Sequence, residues 1–135
     1  RQARIAAMIG IFLVTHATYG ESLIQCACHV LNKRPPQIAQ IGIAAQDDPL
    51  DALPLAQQLL KLVDHGRGVL VMTDIFGATP ANLATKLLKP GRIEGIAGVN
   101  LPMLIRALTY RDKDMDTLIA KAVAGGRDGV LHMHS

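Results

Sequence analysis

The chain has 135 residues, half of them hydrophobic, yet only four are aromatic: Phe12, Tyr19, Phe76 and Tyr110. That length suits one domain with a substantial core, and the core must be aliphatic. The formal charge of +3 comes from scattered Lys and Arg, which argues against a nucleic-acid surface with its basic stripe, and so few aromatics leave no stacking platform for single strands.

At the N-terminus, Arg1 and Arg4 precede an apolar run from Ile5 to Val14. That is the shape of a signal peptide. The run is too short to span a bilayer. A strand buried on both faces of a parallel sheet also reads as a continuous apolar run, and the pattern downstream favours the strand. Met8 resembles a natural start, so residues 1–7 are expected to be an extension or remnant beside a single domain at 8–135.

The first strand is expected over Ile9–Val14. A helical pattern follows, with Leu23, Ile24, Ala27, Val30 and Leu31 spaced by three and four. It carries both cysteines, Cys26 and Cys28, which do not face each other at that spacing. A structural disulfide is not expected, in keeping with a reduced cytosolic setting. The helix stops near Asn32, before Pro35-Pro36. Ile38–Ala44 is the second strand. Asp51 is the expected N-cap of the next helix, with Pro54 in its first turn; that helix ends at Gly66.

Gly68–Thr73 is the third strand. Thr79-Pro80 reads as an N-cap followed by proline at the first helical position, opening a helix that stops before Pro90-Gly91. Ile93–Val99 is a weaker fourth strand. Pro102 opens another helix, and a last one around Leu118–Val123 is expected to end at Gly125-Gly126. Gly129–Met133 reads as a short final strand. Strand and helix alternate four times with short connections, which predicts an α/β fold: three αβα layers around a mainly parallel sheet of four strands.

Ligands in such sheets bind beyond the carboxyl ends of the strands. Thr15-His16 lies there after the first strand, Asp74 to Pro80 after the third and Asn100-Leu101-Pro102 after the fourth. A carboxylate beside a histidine fixes its tautomer and stabilises positive charge on the ring, leaving the other nitrogen as a directed nucleophile. A helix N-terminus with a hydroxyl, as at Thr79, suits a phosphate. No P-loop, dinucleotide fingerprint or Gly-x-Ser-x-Gly elbow is present. Of the remaining histidines, His29 mid-helix reads as a surface or packing residue and His65 as favouring a helix C-terminus, while the His-x-His spacing of His132 and His134 could bind metal, although a metal site is not expected there.

Three segments carry a family resemblance: the apolar strand ending in Thr15-His16, the stretch Gly68 to Asn82 with its Asp-x-x-Gly-x-Thr-Pro-x-Asn pattern, and Ile96 to Leu104 with Ala-Gly-Val-Asn-x-Pro-Met. With Gly126 to Val130 they span residues 8–131. They resemble the IIA domain of the mannose family of the bacterial phosphoenolpyruvate-dependent sugar phosphotransferase system. The resemblance implies that the phosphocarrier protein HPr phosphorylates His16, that Asp74 orients it, and that Thr15, Gly77 and Thr79 bind the phosphate. It implies no metal and no cofactor. It further implies transfer to a IIB component for sugar uptake, a cytoplasmic homodimer with Gly129–Met133 exchanged between subunits, and at most peripheral association with a membrane permease. The same phosphorylation could instead serve a regulatory switch that binds a target protein without moving sugar. One departure stands out: the family commonly has glycine after the histidine, where this chain has Ala17.

Overall fold

Two strands with continuous apolar sequence are buried on both faces and organise the molecule. The structure, a computed structural model, describes residues 7–135. In chain order the elements are β1 (Gly10–His16), α1 (Tyr19–Leu31), β2 (Ile38–Ile43), α2 (Pro49–Val63), β3 (Val69–Thr73), α3 (Thr79–Thr85), β4 (Ile93–Ala97), α4 (Leu101–Tyr110) and α5 (Met115–Asp128). The sheet order is β2-β1-β3-β4, and all of its ladders are parallel. β1 is buried through Thr15 and β3 along its whole length, as expected of central strands covered by helices on both sides.

Alternate side chains of these strands feed two separate cores. Ile9, Ile11, Leu13, Leu70 and Met72 meet the apolar faces of α1, α4 and α5. Phe12, Val14, Val69 and Val71 meet α2 and α3. This is the expected three-layer α/β fold. Each fully buried Leu, Ile, Val, Phe or Met contributes about 1.5–3 kcal/mol relative to exposure.

Several boundaries differ from the sequence expectation. Asp48, not Asp51, caps α2: its carboxylate accepts from the Leu50 N–H at 2.9 Å, with Pro49 at the first helical position. Pro54 therefore lies inside the helix rather than in its first turn, where its missing N–H leaves the Leu50 carbonyl without an intrahelical donor. Gly125-Gly126 does not end α5 but sits buried within it. A Cβ on Gly125 would stand 2.6 Å from the Arg106 Cβ, and one on Gly126 would stand 2.7 Å from the Met103 Cε. These glycines let α5 approach α4, a role that a helix-breaking reading misses.

The short final strand at Gly129–Met133 is not formed in the single chain. Gly129 is the C-cap of α5, and the N–H groups of Gly129 and Val130 donate to Gly125 and Arg127. The start of the segment is thus committed to a helical turn, and the residues beyond it are exposed without a ladder partner. At the other terminus, residues 1–6 lie outside the described residues, so the expected extension over 1–7 is described only at Ala7. The Ala7 carbonyl accepts a 3.1 Å hydrogen bond from Arg67.

Arg111 ties the amino-terminal edge of the sheet to α4. It is buried, and its guanidinium donates to the carbonyls of Ile9 (3.1 Å), Pro36 (2.6 Å) and Gln37 (2.7 Å). Burial lowers its pKa to about 10, so it remains charged at neutral pH. Arg111→Met keeps the apolar stem but leaves three carbonyls without that donor. The expected loss is about 2–4 kcal/mol, since buried acceptors without partners are costly. Urea denaturation checks this; an unchanged midpoint would show that the guanidinium is not a structural tie.

Candidate active site

The strand order reverses between β1 and β3: β1 leads outward through α1 to β2, and β3 leads the other way through α3 to β4. A crevice at the carboxyl ends of such strands is where open α/β sheets bind ligands. Val14 pairs with Thr73 across this junction, and β1 then runs on two residues to His16, which pairs with Ile43 of β2. Asp74 follows Thr73 directly, so the register sets His16 and Asp74 side by side.

The contact between them is specific. The His16 Nδ1 lies 2.8 Å from the Asp74 Oδ2, and the same oxygen accepts the His16 backbone N–H at 3.0 Å. The other carboxylate oxygen accepts the Ile75 N–H at 3.1 Å and the Thr73 hydroxyl at 3.4 Å. With both oxygens engaged, the carboxylate cannot swing away. Against a carboxylate, Nδ1 must carry the proton. In the neutral ring this leaves the lone pair on Nε2.

The His16 side chain is 46% exposed while that of Asp74 is 11% exposed. The pair therefore presents an open imidazole backed by a covered carboxylate. Burial pushes the Asp74 carboxyl up, but the hydrogen bonds from the His16 backbone and ring outweigh it, and its pKa falls below the ordinary 3.8.

The expected phosphate-binding residues fare differently. Thr15 is fully buried, and its hydroxyl oxygen accepts the Gly20 N–H at 2.8 Å. It therefore anchors the start of α1 instead of facing the crevice, which corrects its expected role. A strand alternates faces, so Thr15 shares the side of Ile11 and Leu13, which α1 covers, while His16 falls on the other. Gly77 is exposed in the β3–α3 loop, with φ +83°. Thr79 is the first residue of α3 and Ala78 is the N-cap, so Thr79 is not the cap. Among the described residues neither Gly77 nor Thr79 hydrogen-bonds to His16 or Asp74. α3 itself spans only seven residues and stops at Thr85, well short of Pro90-Gly91.

Two residues not assigned a role from sequence brace this edge. The Tyr19 hydroxyl donates to the Val99 carbonyl at 2.8 Å. Its pKa is raised by burial and then by the nearby charge of Asp74, so it stays a neutral donor. Asn100 caps α4 by accepting the Met103 N–H at 2.9 Å, and its amide donates to the Gly126 carbonyl at 3.1 Å. The Asn-x-Pro spacing signalled that cap. Tyr19 gave a weaker hint, as one of only two tyrosines.

Ala17 adopts φ +46°, a left-handed conformation that costs a residue with a Cβ about 1–2 kcal/mol. Its N–H donates to Ile43 at 2.9 Å, and a Cβ on Gly42 would collide with its carbonyl. The departure from glycine at this position is thus accommodated as local strain, with the loop path held by β2.

Fold and site together define an α/β protein that carries a solvent-facing histidine, oriented by a carboxylate, at the carboxyl edge of a parallel sheet. The chain belongs to the IIA family of the phosphotransferase system: the family described as "PTS system fructose IIA component" matches residues 10–123. It is 33% identical over 125 residues to the mannose-specific EIIAB component of Escherichia coli strain K12. That match covers 90% of this chain and 38% of the relative, so the chain spans well under half the relative's length. The mannose/sorbose-specific IIA subunit from Enterococcus faecalis superimposes with a TM-score of 0.83 at 23% identity, covering 95% of this chain and 96% of that one. The EIIA component from Streptococcus agalactiae gives 0.80 at 24% identity, covering 93% and 97%. These two likenesses establish the shared fold.

Ala17→Gly is expected to stabilise the protein by about 0.5–1 kcal/mol, the relief of left-handed strain less the added freedom of the unfolded chain. A lower denaturation midpoint in the variant would contradict the strain assignment. Because the folded-state pKa of Asp74 is lowered, its contribution to stability is complete above the ordinary value and is lost as the pH falls below it. Asp74→Asn should therefore flatten the acid limb of the stability curve between about pH 5 and pH 2. Equal slopes for variant and parent would show that the carboxylate is not held as described.

Proposed function

We propose that this chain is a phosphohistidine carrier of the sugar phosphotransferase system, accepting a phosphoryl group from HPr on His16 Nε2 and passing it to a IIB component. The observation that carries this is the 2.8 Å contact between Nδ1 and Asp74, which directs the free nitrogen outward. The lone pair of Nε2 attacks the phosphorus of the donor's phosphohistidine in line. As the new P–N bond forms, the old one breaks and the donor imidazole leaves with its electron pair. His16 keeps the Nδ1 proton, and the Asp74 carboxylate stabilises the positive charge on the phosphorylated ring. Phosphoryl transfer depends mainly on positioning and charge stabilisation. Gly77, in the β3–α3 loop, and Thr79, the first residue of α3, are the proposed contacts for the phosphoryl oxygens.

The surroundings suit docking by a carrier protein. Of the two phenylalanines, Phe12 is fully buried, while Phe76, two residues from Asp74, is 88% exposed, with Ile75 at 60%. Large exposed apolar side chains beside a reactive group mark an interaction surface. The E. coli relative is named an EIIAB component, which supports a IIB acceptor here. A homodimer is part of the proposal. Val130, Leu131 and Met133 are exposed, and β4 is an edge strand beside a cavity of about 210 Å³ lined in part by Ala81, Ala84, Leu88 and Ile96. The carrier would work in the cytoplasm and meet a membrane permease peripherally. Among the described residues no helix is long and apolar enough to cross a membrane.

Incubation with phosphoenolpyruvate, enzyme I and HPr should label the parent protein and leave His16→Ala unlabelled; label retained on that variant would overturn the assignment. Asp74→Asn should remain folded but accept phosphate about 10²–10³-fold more slowly, the range of a lost orienting or acid–base partner. Phe76→Ala should raise the phospho-HPr concentration needed for half-maximal rate, with stability unchanged within about 0.5 kcal/mol, as for exposed positions. Unaltered kinetics would remove Phe76 from the docking surface.

A further inference from the structure

A second concave site lies at the opposite end of the sheet from His16. A cavity of about 460 Å³ opens between the last turns of α2 and the α3–β4 connection, beside Ile93, the first residue of β4. Lys61, Lys86, Lys89 and Arg92 surround it. The buried side chains of Leu87 and Ile93 form its base, with Leu60 partly buried beside them.

Helix dipoles account for part of this charge. Lys61 is in the last turn of α2 and Lys86 caps α3, where cations are favoured. Lys89 and Arg92 lie outside the helix ends. They project from a tight turn closed by two hydrogen bonds, Lys89 N–H to Ile93 O at 2.9 Å and Ile93 N–H to Lys89 O at 2.8 Å. Gly91 at φ +78° makes that turn possible. The turn brings both residues into the lining of the cavity.

The lining has a single carboxylate, Asp64, and it is already engaged. Its Oδ1 accepts the Gly66 and Gly68 N–H groups at 3.0 and 3.3 Å, and its Oδ2 holds Arg92 Nη2 at 2.8 Å. Arg92 Nη1 donates to the Gly66 carbonyl at 3.2 Å. The guanidinium is therefore pinned in place, and among the described residues its Nε–H has no hydrogen-bond partner. Among the described residues, no carboxylate lies within ion-pair distance of Lys61, Lys86 or Lys89. Three lysines and one fixed guanidinium, the latter paired with Asp64, thus line one hollow with an apolar base.

We infer that this cavity binds a small molecule bearing two or more phosphate charges on an uncharged body. Lysine is a point-charge ligand for phosphate and arginine a directional one. The volume of about 460 Å³ falls within the usual range for small-molecule sites. The apolar base takes the uncharged part. The site is separate from the chemistry at His16 and does not depend on it.

Titration of isotope-labelled protein with inorganic pyrophosphate and with ADP, at constant ionic strength, tests this by amide chemical shifts. Saturable shifts are expected at Lys61 and from Lys86 to Ile93, with Kd below ~1 mM and ADP the tighter of the two. The double variant Lys86→Gln, Lys89→Gln, which alters only exposed side chains, should weaken binding tenfold or more. His16→Ala should bind as the parent does, which separates this site from the phosphoryl-transfer proposal. Absence of saturation by ~10 mM, shifts confined to the His16 end, or full affinity in the double variant would overturn the site. ADP no tighter than pyrophosphate would overturn the role of the apolar base.

Discussion

The structure turns on one carboxylate oxygen. Asp74 Oδ2 accepts both the backbone N–H and the ring Nδ1 of His16, which fixes where the imidazole sits and which nitrogen faces solvent. Neither residue could be placed this way by its own loop. Both depend on β1 and β3 being neighbours in the correct register, since a slip of one residue would carry His16 to the opposite face of the sheet. The register is held by burial on both faces: β1 from Gly10 to Thr15 and all of β3 are inside. The hydrophobic core thus acts on function by setting an alignment at the edge of the sheet.

Around that contact, the connections are laced to each other rather than left free. The Thr73 carbonyl accepts the Gly98 and Val99 N–H groups, and Tyr19 reaches the Val99 carbonyl from the start of α1. Thr15 anchors the same helix from beneath through Gly20, whose lack of a Cβ permits the approach: a Cβ there would stand 2.9 Å from the Thr15 hydroxyl. Asn100 joins α4 to the end of α5. Such overdetermination is what lets Ala17 persist in a left-handed conformation one residue from His16. Strained residues survive where their surroundings leave no alternative.

Much of this was legible in the sequence, for physical reasons that can be named. Continuous apolar runs marked β1 and β3 because strands covered on both faces need apolar residues on both faces. The alternation of strands with helices gave the parallel topology, and the strand-end rule then brought His16 and Asp74 together. Three-dimensional detail was not legible. Thr15 reads as a polar neighbour of the nucleophile until the pleat turns it inward. Gly125-Gly126 reads as a stop until a second helix is seen packed against it. Asp48 and Asp51 are equivalent caps by composition, and Pro49 at the first helical position decides between them. The segment after α5 has strand-like composition, but strand formation needs a partner edge, which a single chain's sequence does not specify.

The two ends of the sheet differ in character: an oriented histidine at the carboxyl edge and a cationic hollow at the amino edge. The central claim concerns the first, that Asp74 reserves Nδ1 and leaves Nε2 to carry the phosphoryl group. Long-range ¹H–¹⁵N NMR of the phosphorylated protein reads this directly, because the two ring nitrogens give distinct shifts and coupling patterns. The account predicts phosphorus on Nε2 of His16 with Nδ1 still protonated. Phosphorylation on Nδ1, or on His29, His65, His132 or His134 instead, would contradict it.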